Sequence, residues 1–198
     1  LYLKVALDEI LTSGMAIGQL ARGVDGLFRQ IFDRLVKKYG NDVLWDYLGC
    51  IAAARDGVGE DEIRELIDVR DDLLLDLNKS LENFIVKQQN LLVFFHPEFE
   101  RTIMEQLGKK GMRGYHGRLT EYFRQKGYGY QRGLREIAFQ YQWAEKWEDV
   151  LGILTNFEYL KNKTEAGMVE DLITDFNRAL EDIEVKLPVG VYTEVYDG

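Results

Sequence analysis

Apolar residues recur at three- and four-residue spacing along most of the chain, the mark of amphipathic helices. Residues 1–12 read as a helix with Leu3, Leu7, Ile10 and Leu11 on one face. Gly14, Gly18 and Gly23 mark a loop, and Asp25 is placed to cap a second helix that runs to about Tyr39. Its apolar set is Leu27, Phe28, Ile31, Phe32, Leu35 and Val36, and Gly40 is a natural stop. Asn41 or Asp42 can cap a third helix, Val43 to about Arg55, which presents Leu44, Tyr47, Leu48, Ile51 and Ala52.

The pattern then changes. Gly57-Val58-Gly59 reads as a turn, 60–68 as a short helix with Ile63, Leu66 and Ile67 inward, and 71–81 as another with Leu73, Leu74 and Leu77 inward. Phe84-Ile85-Val86 reads as a strand, Gln88-Gln89-Asn90 as a turn and Leu91–Phe95 as the returning strand. Three helices followed by a hairpin is the order of a winged helix. Pro97 fits the first turn of a following helix, where a missing N–H costs nothing, and Phe99, Ile103, Met104 and Leu107 continue it. Further helices are expected at about 115–125, 134–144, 147–155, 157–163 and 168–183, separated by short loops that favour antiparallel pairs. The end, 185–198, is β-prone and irregular and is assigned no fold.

The expected fold class is therefore mainly α. A helical subdomain occupies 1–40, a winged-helix domain with a short β-hairpin 41–108, a helical-hairpin arm 109–184 and an irregular tail 185–198. Only two prolines interrupt the 198 residues. A chain of this size buries enough surface to fold without a disulfide or metal. Cys50 is the single cysteine, and with two histidines it leaves no zinc site of the usual kind. No apolar run reaches the length of a membrane span. The start, Leu1-Tyr2-Leu3-Lys4, is neither a secretion signal nor an initiating Met, and it reads as a cut within a longer chain from a reducing, cytoplasmic compartment.

Net charge is −9, which argues against general nucleic-acid binding. The charge is uneven. Lys109, Lys110, Arg113, Arg118, Arg124, Lys126, Arg132 and Arg135 face only one acid, Glu121, within 109–135. That island of +7 reads either as a solvated face or as a docking patch for an acidic surface. The expected third helix of the winged helix, by contrast, sets Arg70 and Lys79 against Asp71, Asp72 and Asp76, so phosphate contact there would be repelled. This favours a winged helix that packs against protein. The alternative, a winged-helix DNA-binding regulator with a helical effector region, rests on the element order and the basic island.

Several runs resemble STAND-class NTPases, the group that includes the NACHT and NB-ARC switch proteins. Leu1–Ile10 is similar to the segment after that family's Gly-x-Pro motif, and Gly26–Leu35 to its next helix. Leu48–Val58 with Glu60–Ile63, Phe94-Phe95-His96-Pro97-Glu98-Phe99 and His116–Phe123 resemble successive pieces of its winged helix and the helix beyond. Trp143–Leu160 and Gly167–Leu180 resemble the helical arm of the NACHT and WD-repeat branch. The likeness covers about 1–183. It implies a regulatory region that couples nucleotide state to conformational switching and assembly. The implied partners are an upstream NTPase core, a downstream repeat or sensor domain, and further copies of the protein on activation.

No Gly-x-x-x-x-Gly-Lys-Ser/Thr occurs, so the sequence offers no phosphate cradle, no catalytic residue and no metal site of its own. ADP or ATP is expected only in the intact protein. His96 is the one cofactor-binding candidate. At a strand end just before a helix N-terminus, an imidazole can donate to a phosphate, or it can simply pack. The resemblance implies the former, a contact with the β-phosphate of ADP that latches a closed state. Pro97 stands where the family often has Asp, which removes that residue's capping role but leaves the imidazole.

The other candidates have plainer readings. His116 reads as a surface or helix-start residue and Cys50 as a core residue. Trp143 and Trp147, with Phe139, Tyr141 and Phe157, read as core packing. Glu60-Asp61-Glu62 and Asp71-Asp72 read as early-turn acids suited to helix dipoles.

Overall fold

The computed structural model describes residues 2–14 and 16–186. The described residues form ten α-helices and one small antiparallel sheet, so the protein is mainly helical. The order is α1 (Tyr2–Ser13), a 3-10 turn (Ile17–Gln19), α2 (Val24–Tyr39), α3 (Asn41–Ala53), β1 (Val58–Gly59), α4 (Glu60–Leu66) and α5 (Asp71–Ser80). Then come β2 (Ile85–Gln88), β3 (Leu91–Phe94), α6 (Pro97–Lys126), α7 (Gln131–Trp143), α8 (Trp147–Leu154), α9 (Phe157–Glu165) and α10 (Val169–Lys186). Two compact units divide between Tyr115 and His116.

The first unit is built on an aromatic hub. Phe99, fully buried, packs within 5.1 Å of Phe28, 5.2 Å of Phe32, 4.5 Å of Phe84 and 5.9 Å of Phe94, measured between ring centroids. The helical spacing of α2 delivers Leu27, Phe28, Ile31, Phe32 and Leu35 to this core. Beneath it, Tyr47 donates to Asn78 Oδ1 at 2.6 Å, tying α3 to α5. Gly49 lies under the Tyr115 ring, so closely that a Cβ there would collide with it. The Tyr115 hydroxyl donates to Asp46 at 3.2 Å.

The sheet has order β1-β3-β2, with Val58 opposite Leu92 and Ile85 opposite Phe94. Expectation placed only a turn at 57–59, whereas Val58-Gly59 pairs with β3. Gly57 makes that pairing possible. Its φ is 98°, and a side chain would strike the Leu92 carbonyl oxygen. The turn 89–90 has two left-handed residues, Gln89 (φ 49°) and Asn90 (φ 67°), the two-residue hairpin that matches the twist of its strands.

Other expectations are corrected. The face of α1 carrying Leu3, Leu7 and Leu11 is exposed, while Val5, Ala6 and Glu9 are buried. A bidentate ion pair decides this: Arg34 donates to both Glu9 oxygens at 2.9 Å, fixing which side of α1 meets α2. Asp25 does not cap α2. Gly23 holds that place, and Asp25 lies in the first turn, paired with Arg101 at 3.1 Å. Asn41 and Asp42 lie inside α3, with Gly40 at its cap and no side-chain cap bond. The helix expected over 115–125 is the later part of α6, which is interrupted at Gly108 (φ 62°, ψ 174°).

In the second unit α7 packs against α8, α9 and α10. Leu134, Ile137, Ala138, Val150, Ile153, Leu154 and Ala179 are buried there, with Leu119 and Phe123 from the end of α6. Val185 and Lys186 belong to α10, and the expected irregular tail otherwise lies outside the described residues.

Candidate functional site

His96 lies between β3 and α6. Phe95 N–H donates to the Phe84 carbonyl at 2.8 Å, closing the end of the β2–β3 pair. The His96 carbonyl accepts from the Phe99 and Glu100 N–H groups at 3.0 and 3.2 Å, so His96 starts the helix whose third residue is the buried hub Phe99. Backbone and core thus fix where the imidazole stands. Its ring is half-buried and edge-on to Phe95 at 4.7 Å.

Burial, and then the nearby Lys4 ammonium, hold the His96 pKa below the ordinary value, while Glu98 pulls the other way. At neutral pH the ring is therefore uncharged and keeps one N–H donor. A cation and the start of α6 favour an anion here. Glu98 and Glu100 in the first turn oppose it, although burial pushes the Glu100 carboxyl up. A cavity of about 210 Å³ is lined by the neighbours Phe94 and Glu100, with Ile51, Ala54, Arg55, Asp56, Gly57 and Val93, but not by His96.

The paired carboxylates serve the fold. Glu62 reaches back to the Gly59 N–H at 2.8 Å, Glu60 pairs with Lys87 at 3.1 Å, and Arg64 holds both Asp61 and Asp71. Cys50 is buried in the first core. On α5 the exposed residues are Asp71, Asp72, Leu75, Asp76 and Lys79, an acidic and apolar surface. Of the basic island, Arg132 and Arg135 pair with Glu136 and Asp171, and Arg124 with Glu121, while Lys109, Lys110 and Arg113 are exposed on α6.

His116 departs from expectation. It is buried, its ring is stacked on Trp143 at 5.7 Å, and Nδ1 lies 2.8 Å from Gln140 Oε1. Gln140 Nε2 donates to Glu136 Oε2 at 2.7 Å, which fixes the amide and places the proton on His116 Nδ1. Arg132 pairs with Glu136 at 2.7 Å, so a polar chain of Arg132, Glu136 and Gln140 runs along α7 and ends on His116 of α6. Trp143, expected in the core, is 51% exposed.

A second buried polar group was not foreseen. Lys163, without solvent exposure, donates to Asp175 Oδ2 at 2.5 Å and to the Tyr159 hydroxyl at 2.8 Å. Tyr159 in turn donates to the Leu134 carbonyl at 3.3 Å. The available signal was spacing: 132, 136 and 140, like 159 and 163, recur every four residues on one helix face.

No family model matches the chain, and neither a curated protein nor a solved structure matches it. No helix among the described residues is long and apolar enough to cross a membrane.

Proposed function

We propose that the chain is a regulatory region of a STAND-type signalling NTPase, without catalysis of its own, that couples nucleotide state to rearrangement and assembly. The observation that carries the reading is the setting of His96, a neutral donor fixed between a sheet strand and a helix start, with Lys4 nearby. The element order α3-β1-α4-α5-β2-β3 with strand order β1-β3-β2 supports a winged helix within the first unit. In this reading ADP, held by an upstream core, accepts a hydrogen bond from His96, and its exchange for ATP releases the contact. A ligand biases such an equilibrium only through contacts that differ between the states.

Two exposed stripes support partners on either side. Leu3, Leu7 and Leu11 on α1 offer a surface to the upstream core. Val169, Ile173, Phe176 and Leu180 on α10 offer one to a following helical or sensor domain. The exposed acids of α5 do not favour DNA binding.

The test uses the intact protein that contains this region. Purified and denatured, it should release near-stoichiometric ADP. His96→Ala should weaken ADP retention by about 1.5–3 kcal/mol, the worth of a hydrogen bond to a charged group. Absence of nucleotide, or full retention by His96→Ala, would defeat the reading.

A further inference from the structure

We propose that the second unit binds an ammonium or guanidinium group in the cavity between the end of α7 and α10. The cavity, of about 300 Å³, is lined by Gln142, Trp143, Glu145, Arg178, Glu181 and Asp182. That volume is at the lower end of ordinary ligand sites. The site stands apart from the nucleotide reading.

Two independent features define what fits. The first is charge. Among the described lining residues three carboxylates accompany one guanidinium, a negative formal balance. The second is an unmet acceptor. Gln142 is 4% exposed, and its Nε2 donates to the Asp175 carbonyl at 2.9 Å. A carbonyl can only accept, so this bond fixes the amide and leaves Oε1 at the other end. Gln142 Oε1 is buried and has no hydrogen-bond partner among the described residues. An acceptor taken out of water and left unmet keeps its full desolvation cost until a donor reaches it.

The cavity therefore combines a negative formal balance with an unmet acceptor on a lining residue. An ammonium brings three donors and a guanidinium five, each with the charge. A carboxylate or phosphate brings neither. The aromatic wall fits the same class. Trp143 is held by its stack on His116, and the chain's own Arg178 lies 5.7 Å from the Trp143 centroid and 5.4 Å from that of Phe139, so these rings already receive a cation. The chemistry is shared by a free diamine or guanidino compound and by a Lys or Arg side chain of a partner, and the test separates them.

The full chain is titrated with putrescine, with agmatine and with an acetylated, amidated peptide carrying one arginine, by calorimetry and by the indole N–H resonance of Trp143. Saturable binding of at least one probe is expected. Preference for the diamine or agmatine identifies a small ligand, and preference for the peptide a partner side chain. The double variant Glu181→Gln/Asp182→Asn, altered at the helix surface, weakens that probe by roughly tenfold or more, as loss of a charged hydrogen bond does. Gln142→Met, checked for native circular dichroism, weakens it while leaving every charge in place. Failure of all three probes to bind, or wild-type affinity in either variant, overturns the proposal.

Discussion

Phe99 and Lys163 are both fully buried, yet they hold their units together by opposite means. Phe99 is the hub of a ring cluster drawn from α2, the turn before β2, β3 and α6, and its contribution is apolar area and shape. Lys163 is a charge in a dry interior, kept there by Asp175 and Tyr159. The first unit buries Glu9 with Arg34 attached and Glu62 on the Gly59 N–H, and fills its middle mainly with aliphatic and aromatic residues. The second threads its middle with Arg132, Glu136, Gln140, His116, Lys163 and Asp175. An apolar core tolerates a change of shape at moderate cost, whereas a polar one tolerates almost no loss of a partner.

The largest effects should expose that contrast. Phe99→Ala should cost about 3–5 kcal/mol, the usual penalty for emptying an aromatic site, and Phe99→Leu much less. Lys163→Met keeps most of the volume but takes the ammonium away from the buried Asp175 carboxylate, and should still cost about 3–5 kcal/mol. Adding Asp175→Leu to Lys163→Met should recover most of the loss, because the pair then leaves together. Urea unfolding read separately in the two units checks this. A Lys163→Met variant as mild as Phe99→Leu would erase the distinction.

The pH response comes next in size. Burial holds the His116 pKa below its ordinary 6.5, against a smaller upward pull from the Gln140 hydrogen bond. The unfolded chain therefore takes up a proton near pH 6.5 that the folded chain refuses. Stability from this group is complete above 6.5 and falls as the pH drops from 6.5 toward the depressed folded value, by at most about 1.4 kcal/mol per pH unit. His96 shifts in the same direction in the first unit, but it is less buried, so its share is smaller. The second unit should thus weaken more between pH 7.5 and 5.5. Hydrogen exchange resolved by residue would show it, and His116→Phe should flatten the slope while lowering stability at pH 7.5. An equal loss in both units would refute the assignment.

The same contrast explains what the sequence made legible. Apolar periodicity located α2, α5 and the hairpin to within a few residues, because a single face of each is buried. It could not find β1, two residues whose strand character exists only through pairing with Leu91 and Leu92. It misjudged α1, where two stripes compete and a pair to Arg34, 25 residues on, chooses the winner. A helix through Leu107 and another over 115–125 were expected as separate elements, yet both belong to α6, which is non-helical at Gly108. The position of His96 was legible because it stands at a strand end before a proline. His116 was not, since its burial is set by Gln140 and Trp143 on another helix. A four-residue spacing of Arg, Glu and Gln looks the same on a surface as in a core.

The smallest effects lie in the backbone. Gln89 and Asn90 both occupy the left-handed region, where an L side chain is disfavoured and Asn is tolerated better than most. Asn90→Gly should stabilise the first unit by about 0.5 kcal/mol, since glycine after the first turn residue suits this hairpin. It should leave the pH slope of the second unit unchanged. Glu145 (φ 57°) is the corresponding position there, where the chain turns out of α7. Glu145→Gly should give a similar backbone gain, but it also removes a carboxylate from the cavity beside Trp143. Two substitutions with equal backbone logic should therefore separate: both raise the unfolding midpoint, and only Glu145→Gly weakens the cationic probe. A loss of probe affinity in Asn90→Gly as well would mean that the two units do not respond independently.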